Sequence, residues 1–157
     1  MTAQPVALSN ANIISFITSD PRSVGFSAIR TAHPGADQPL IDAANNASGP
    51  GAGTVAGDPI TASALLDLID GDEFNTMTTA QLTQLQTILA VQTVDAGTTP
   101  TQGKLSALFS SYAKSLASVQ ASYTRPAGPW EVYFGKGNVA TAQLLDAARN
   151  SGSGNNF

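Results

Sequence analysis

The stretch Thr78-Thr-Ala-Gln-Leu-Thr-Gln-Leu-Gln-Thr-Ile-Leu-Ala-Val-Gln-Thr-Val94 decides the fold, because it carries more agreeing helix signals than any other window of the sequence. Thr78 and Gln81 have the spacing of a capping box, in which each side chain bonds the backbone N–H of the other residue. Met77 and Leu82 occupy the two positions of a hydrophobic staple. Helical spacing then produces an apolar stripe made of Leu82, Leu85, Ile88 and Leu89. The sequence therefore predicts an uncharged amphipathic helix whose apolar face packs on other helices.

Helix signals also occur on the N-terminal side of this stretch. Asn10 is a candidate cap for a helix that ends near Ser19. Asp20-Pro21 predicts a cap with proline at the first helical position, opening a second helical piece that runs to Thr31. A third helix should begin near Asp37 and bury Leu40, Ile41 and Ala44. Asp58-Pro59 repeats the cap-and-proline signature and predicts a helix that Gly71 ends, antiparallel to the Thr78 helix.

On the C-terminal side, the window Thr101–Tyr123 shows the longest apolar periodicity and predicts one helix of about five turns. The apolar positions of that window are Leu105, Leu108, Phe109, Tyr112, Leu116, Val119 and Tyr123. Trp130–Phe134 follows a proline-rich break and is interpreted as a turn or short strand. Asn138 is the candidate cap of a last helix carrying Val139, Leu144, Leu145 and Ala148.

Together these signals predict a mostly α protein, a single-domain helical bundle spanning residues 1–157. Residues 1–8 are expected to form an N-terminal arm, and residues 48–57 a Gly-rich loop that cannot hold a regular helix. Residues 151–157 have the composition of a flexible linker and form a C-terminal tail. If the chain divides at all, the loop at 48–57 is where it should divide.

Composition narrows the functional classes. Charged residues make up 11% of the chain and the net charge is −4, with basic residues scattered rather than clustered, so nucleic acid is not an expected partner. No apolar run approaches the about 18 residues of a membrane span, and no signal peptide is evident, so we expect no membrane partner. Cysteine is absent, which excludes cysteine catalysis and thiolate metal sites.

Two groups of residues are weak candidates for chemistry. Asp67, Asp70, Asp72 and Glu73 form the acidic cluster of the sequence, but they lack the ligand alternation and glycine of a calcium loop, so a solvated helix end is the preferred interpretation. His33 is the single histidine and no nucleophile or metal motif surrounds it. We therefore expect no catalytic residue, no cofactor, no metal and no enzymatic activity.

Aromatic residues are the candidates for binding. Buried interface anchors are typically Trp, Tyr and Arg. Aromatic residues after a proline turn more often form a lid on the protein's own core, which is the alternative interpretation of this segment. The interface candidates of this sequence are Arg125, Trp130, Tyr133, Phe134 and Phe157.

A family resemblance rests on Asp20-Pro-Arg-Ser-Val-Gly-Phe26. This segment resembles the D-P-R-[GS]-[LV]-G-[YF] signature near the start of small, largely uncharacterised proteins encoded in the structural-gene clusters of tailed bacteriophages. Asp72-Glu73-Phe74 before a Leu-rich helix and Glu131-Val-Tyr-Phe-Gly-Lys-Gly-Asn-Val139 agree with the same pattern in order and spacing. Gly49–Gly57 and the Gly-Ser tail depart from it.

The resemblance implies a virion protein that is made in the host cytoplasm and acts through subunit–subunit contacts in the head or head-to-tail region. Its partners would be major capsid, neck or tail subunits, and it would form a homo-oligomer in the particle. One alternative is a tail component of the same particle. Another is a small helical enzyme or regulatory binding module whose site is made of ordinary polar residues.

Overall fold

The computed structural model describes residues 4–151 and Phe157. These residues form ten helices and four short strands, which confirms the mostly α fold class. No helix among them is long and apolar enough to cross a membrane. The chain divides into two compact units, which we call the terminal unit (Met1–Val55 with Pro126–Phe157) and the central unit (Ala56–Arg125). The first boundary lies inside the predicted Gly-rich loop, and the single-domain organisation stays a prediction.

The secondary-structure elements follow one another in the order α1 (Asn10–Ser19), α2 (Phe26–Ala32), α3 (Gln38–Asn45), β1 (Gly53–Ala56), β2 (Ile60–Thr61), α4 (Ala62–Asp67), α5 (Gly71–Phe74), α6 (Thr79–Leu89), β3 (Thr93–Val94), α7 (Thr99–Leu108), α8 (Ala113–Ala121), β4 (Thr124–Ala127), α9 (Pro129–Phe134) and α10 (Ala142–Arg149). Strands β1 and β4 pair with each other, and the boundary between the units falls within both strands.

In the terminal unit, helix α1 packs against α10, while α3 packs against α9 and α2. Helix α1 ends at Ser19 as predicted, although Ser9 rather than Asn10 is its cap. Helix α3 begins after Asp37 as predicted, and it buries Leu40 and Ala44. The largest fully buried side chains of this unit are Trp130, Phe16, Phe26, Ile13, Ile17 and Leu145.

In the central unit, β2 and β3 form an antiparallel ribbon in which Ile60 lies opposite Val94 and Thr61 opposite Thr93. Helix α4 packs on this ribbon, α6 packs on α7, and α7 packs on α8. The core of the unit contains Leu65, Leu85, Val94, Leu105, Leu108, Phe109, Tyr112 and Val119.

Helix α6 confirms the predicted capping box. The Thr78 hydroxyl accepts a hydrogen bond from Gln81 N at 3.3 Å, and Gln81 Oε1 accepts one from Thr78 N at 2.9 Å. The helix nevertheless ends at Leu89, not near Val94, because Thr93 and Val94 form β3 and bond with β2 instead.

The predicted helix over Thr101–Tyr123 is wrong in one respect, since the structure divides it into α7 and α8. Two consecutive serines lie at the break, and Ser110 Oγ donates to the Ala107 carbonyl at 3.0 Å. Side chains of this type compete with the helical backbone bonds. Phe109 and Tyr112 flank the turn and are both buried, so the break folds the two halves of the stripe into the same core.

The predicted helix start at Asp58-Pro59 is also wrong. Thr61 is the cap of α4, and its hydroxyl accepts from Ala64 N at 3.1 Å. Asp58 instead forms an ion pair with Arg125. Gly71 begins α5 rather than ending α4, so the link to α6 contains a helical turn and α4 packs on the β2–β3 ribbon.

Two further predictions, the turn or short strand at Trp130–Phe134 and the cap of the last helix at Asn138, are also wrong. Trp130–Phe134 belongs to helix α9, which Pro129 opens at its first position, where the missing N–H has no cost. Asn138 does not cap the last helix, because Thr141 does so by accepting from Leu144 N at 3.3 Å.

Candidate functional site

The segment that carries the family resemblance connects α1 to α2. Asp20 adopts a left-handed conformation with φ 45°, and its carboxylate turns back toward the start of α2. The two carboxylate oxygens accept hydrogen bonds from Val24 N at 2.7 Å, Gly25 N at 2.7 Å and Phe26 N at 3.3 Å. N–H groups at the start of a helix have no partner within the helix. Asp20 therefore satisfies this helix end from outside it, rather than opening a helix at Pro21 as predicted.

Arg22 of the same segment holds the Gly-rich loop. Its Nε donates to the Gly51 carbonyl at 2.9 Å, and its Nη2 donates to the Ala52 carbonyl at 3.4 Å. Gly51 has φ +74°, and a Cβ on it would lie 2.5 Å from the Arg22 carbonyl oxygen. A glycine is therefore required where the loop approaches Arg22.

The closing segment of the resemblance is arranged in a similar way. Glu131 Oε1 accepts a hydrogen bond from Gly137 N at 2.7 Å. The Asn138 amide donates to the carbonyls of Phe134 at 2.9 Å and Gly135 at 3.0 Å, which satisfies the C-terminal end of α9. These polar side chains stabilise a turn of their own chain.

The acidic cluster of the central unit binds two helix ends. Asp70 Oδ1 accepts from Asp72 N and Glu73 N, both at 3.1 Å, and so caps α5. Glu73 accepts from Lys114 N at 3.0 Å, Ser115 N at 2.8 Å and Ser115 Oγ at 2.7 Å, so it caps α8 from another helix. Ser115 is fully buried, and its Oγ also accepts from Asp70 N at 3.1 Å.

These bonds shift the ionisation of both carboxyl groups. The hydrogen bond from Glu73 N lowers the pKa of Asp70, and the Lys114 ammonium at 3.4 Å adds to that effect. Desolvation of the Glu73 carboxyl would raise its pKa, but the hydrogen bonds from Ser115 and Lys114 outweigh it and the pKa is lowered. Within residues 4–151 and Phe157, no three histidine or acidic side chains are placed to hold a metal ion.

Trp130 and Phe134, two of the interface candidates, lie in the core of the terminal unit. Their ring centroids are 4.6 Å apart, and the Phe16 ring lies 5.5 Å from Trp130 and 5.4 Å from Phe134. Their exposed fractions are 0% and 4%. Since almost no side-chain surface is left for a partner, the core-lid interpretation replaces the interface one for these two residues.

Tyr133 and Arg125 occupy different environments. Tyr133 is half-buried, and its ring centroid lies 5.0 Å from that of Phe16. Its carbonyl accepts from Val6 N at 2.9 Å, so the predicted N-terminal arm, where the structure describes it, lies on the chain's own terminal unit. Arg125 belongs to the central unit, where its Nε lies 2.9 Å from Asp58 Oδ2. An interface role for Tyr133 or Arg125 stays a prediction.

Phe157, the remaining interface candidate, packs against the core of its own terminal unit, which contradicts the prediction that it anchors an interface with another subunit. Arg149 contacts it twice: the guanidinium carbon lies 5.0 Å from the ring centroid, and Nε donates to the Phe157 carbonyl at 3.2 Å. Residues 152–156 of the predicted tail and residues 1–3 of the predicted arm lie outside the described part of the chain.

Sequence reasoning missed the ion pair between Arg149 and Asp37. Arg149 Nη1 donates to Asp37 Oδ2 at 2.8 Å, Nη2 donates to Oδ1, and Nη1 also reaches Asp146 Oδ1 at 3.3 Å. The bond from Arg149 lowers the pKa of Asp37, and the same bond raises the pKa of Arg149. The one local signal was the position of Arg149 in the last turn of a helix, which does not indicate a distant partner.

Each unit contains a cavity. The cavity of the terminal unit has a volume of about 480 Å³ and includes the exposed His33 in its wall; its lining residues are Ser27, Arg30, Thr31, His33, Gly35, Ala36, Leu40, Arg149 and Phe157. The cavity of the central unit has a volume of about 750 Å³ and lies between α6, β3 and α7, where Ile88, Val91, Lys104 and Leu108 are among its lining residues. No sequence motif pointed to either cavity.

No protein-family model, curated protein or solved structure matches this chain. The resemblance carried by residues 20–26 stays a prediction, and the geometry of the motifs is the observation that bears on function.

Proposed function

We propose that this protein is a non-enzymatic structural component of a tailed-phage particle, acting through subunit–subunit contacts in the head or head-to-tail region. The observation that supports the proposal is what the polar residues of the three resembling segments bond with. Asp20, Glu73 and Glu131 each accept hydrogen bonds from backbone N–H groups of their own chain. Carboxylates used in this way fix helix ends and turns. Proteins that have these segments in common are therefore expected to share a local backbone structure rather than a catalysed reaction.

The amino-acid composition of the chain supports the same proposal. Charged residues make up 11% of the chain, compared with about a quarter in ordinary soluble domains. Charged residues are depleted in the buried core of protein–protein interfaces. A chain with so few charges is suited to contacts with other subunits, including further copies of itself and major capsid, neck or tail proteins.

Localisation in particles tests the proposal directly. Antibodies raised against the purified chain are used to probe a density gradient of particles from lysed host cells, and the particle band is examined by electron microscopy with gold-labelled antibody. We expect the chain in the particle band and label at the head or the head-to-tail junction. Label confined to the tail would favour the tail alternative. Chain found only at the top of the gradient, with the free proteins, would contradict a virion role.

A ligand-binding module is the second candidate, and the cavity of the terminal unit favours it. Arg149, whose pKa is raised by Asp37, lines that cavity. Groups with shifted pKa values inside a cavity are typical of functional sites, although structural ion pairs shift them too. Recovery of one small molecule with the purified chain, together with absence from particles, would support this candidate over the first.

A further inference from the structure

The cavity of the central unit, which we call the Lys104 pocket, lies between α6, β3 and α7. Its volume of about 750 Å³ is within the about 300–1,000 Å³ range of ligand pockets. Helix α6 contributes Thr87 and Ile88 to its wall, and α7 contributes Lys104 and Leu108. All of its lining residues belong to the central unit, so one compact part of the chain forms the whole pocket.

The inner surface of the Lys104 pocket is apolar. Val94, Leu105 and Leu108 line it and are almost fully buried, with exposed fractions of 3%, 0% and 3%. Val91 also lines it, but 51% of this large apolar side chain is exposed to water, and Ile88 is half-buried. A ligand with an apolar body would remove the exposed surface of Val91 and Ile88 from water, which favours binding.

The hydroxyl groups of the wall add little polar surface for a ligand. Thr87 Oγ1 donates a hydrogen bond to the Thr83 carbonyl at 2.9 Å. Thr101 Oγ1 accepts one from Thr98 Oγ1 at 3.0 Å. Because both hydroxyls already bond groups of the protein, the recognition of a polar ligand group depends on the charged residues of the wall.

Lys104 and Asp95 are the charged residues that line the pocket. Asp95 Oδ1 accepts a hydrogen bond from Gly97 N at 3.2 Å, so this carboxylate stabilises a turn of its own chain. Within residues 4–151 and Phe157, the Lys104 ammonium has neither an ion pair nor a hydrogen bond, whereas Lys114 and Arg125 are both ion-paired. An anion that enters the pocket can therefore contact Lys104 without displacing a carboxylate of the protein.

We propose that the Lys104 pocket binds a small amphipathic carboxylate, a molecule with an apolar body and a carboxylate at one end. The body packs against Ile88, Val91 and Leu108, and the carboxylate pairs with the Lys104 ammonium. Apolar walls with a small number of placed polar groups are typical of ligand sites, in which the polar groups fix the orientation of the ligand. The inference does not depend on the proposed role in a particle.

A titration of the purified chain with three ligands of equal chain length tests the proposal. The probe is octanoate, and the matched ligands are 1-octanol, which is neutral, and octylammonium, which carries the opposite charge. Binding at pH 7 is followed by NMR chemical shifts, which also report whether each variant is folded. We expect saturable shifts at Ile88, Val91 and Leu108, with octanoate binding more tightly than either matched ligand. Tighter binding of octylammonium, or no saturable shift of these residues with octanoate, would overturn the proposal.

Lys104→Gln separates the charge contact from the apolar contact. An ion pair near the surface contributes up to about 1 kcal/mol, so octanoate should bind about two- to five-fold more weakly to this variant. The affinity for 1-octanol should not change. Lys136→Gln is the matched control, because it makes the same change in net charge at an exposed position of the terminal unit. Equal weakening of octanoate binding by both substitutions, or equal weakening of octanoate and 1-octanol by Lys104→Gln, would contradict a direct contact with Lys104.

Filling the Lys104 pocket tests where the ligands bind. Ala107 lines the pocket and is exposed on α7, so Ala107→Trp places a large side chain in that space. The substitution should abolish the saturable shifts with octanoate and with 1-octanol. If this variant is not folded, Thr87→Trp, at an exposed lining position of α6, replaces it with the same expected result. Undiminished binding to a folded, filled variant would show that the ligands bind elsewhere and would overturn the proposal.

Discussion

Arg149, in the last turn of α10, forms a two-pronged ion pair with Asp37, which lies 112 residues earlier and immediately precedes α3. Both side chains are shielded from water, with exposed fractions of 24% and 19%. The pair connects the beginning and the end of the terminal unit, and it also fixes the guanidinium that contacts Phe157.

Replacing Asp37 with asparagine should destabilise the protein. The change removes a charged, bidentate hydrogen-bond acceptor, and bonds to charged groups contribute about 1.5–3 kcal/mol. We expect a loss of that size in the free energy of unfolding at pH 7, measured by urea denaturation. Asp42→Asn is the matched control, because Asp42 is exposed on α3 and its Oδ1 accepts a hydrogen bond from Gln38 of the same helix. The control should change the free energy by less than about 0.5 kcal/mol.

The lowered pKa of Asp37 in the wild type predicts how the effect of Asp37→Asn on the free energy of unfolding depends on pH. The hydrogen bond from Arg149 stabilises the ionised carboxylate in the folded state and holds its pKa below the ordinary value of 3.8. The contribution of the pair is fully present above the unfolded pKa and is lost as the pH falls through the lower folded value. The difference in the free energy of unfolding between wild type and Asp37→Asn should therefore be largest at pH 7 and decrease below about pH 4. A difference that grows in acid would contradict the assignment.

Removing the Asp20 carboxylate should loosen the start of α2. Asp20→Ala removes the acceptor of three backbone bonds and places alanine at φ 45°, so we expect a loss of about 1–2 kcal/mol, typical of a lost helix cap. Asp20→Asn should destabilise the protein less than Asp20→Ala, because asparagine tolerates the left-handed conformation and its amide oxygen can still accept a hydrogen bond. Hydrogen exchange at Val24, Gly25 and Phe26 measures the effect. Unchanged protection of all three amides in Asp20→Ala would show that the carboxylate does not hold them.

Ser115→Ala tests the connection between α5 and α8. The change removes a buried hydroxyl that donates to Glu73 and accepts from Asp70 N, so the thermal midpoint should fall at pH 7. Because the pKa of Glu73 is lowered in the folded state, the ionised carboxylate stabilises the protein above the pKa of the unfolded state, and this stabilisation is lost in acid. The difference in thermal midpoint between wild type and Ser115→Ala should therefore narrow as the pH falls below about 4.5. Ser118→Ala, at an exposed position of α8, is the control. Additive effects of Ser115→Ala and Glu73→Gln would argue against a shared bond.

Two leucines of the predicted stripes provide a further comparison. Leu108 is buried with 3% exposure, whereas Leu89 is only half-buried at the end of α6. Leu108→Ala should cost about 2–5 kcal/mol because it leaves a cavity in the core. Leu89→Ala should cost less than about 2 kcal/mol, since less apolar area is lost. Equal losses in urea denaturation would mean that Leu89 is more enclosed than its exposure indicates.

Local chemistry predicted much of the helical structure. The capping box at Thr78 and Gln81 depends on residues three apart, and the structure contains it. The helix that ends at Ser19 and the one that begins after Asp37 are likewise set by nearby residues. The break between α7 and α8 could not be found in this way, because the apolar residues Leu108, Tyr112 and Leu116 keep the spacing of one helix across it.

Polar contacts between residues far apart in the chain could not be predicted from the sequence. Glu73 bonds Ser115, 42 residues away, and Arg149 bonds Asp37, 112 residues away, and nothing in residue spacing identifies such partners. The aromatic segment was ambiguous for a different reason: Trp, Tyr and Phe dominate both protein cores and protein interfaces. Burial, which only the structure provides, assigned Trp130 and Phe134 to the core.

The division of the chain has a consequence for the order of events during synthesis on the ribosome. The central unit is one continuous segment, so all of its sequence has been made once Arg125 is complete. The terminal unit cannot be completed until its C-terminal helices have been synthesised, because α1 packs on α10. Asn45 also exchanges two hydrogen bonds, at 3.0 and 2.9 Å, with the backbone of Ala140. Bringing such distant segments together carries a loop-closure cost. Helices α1–α3 are therefore translated first, but their core can be completed only after α9 and α10 have been synthesised.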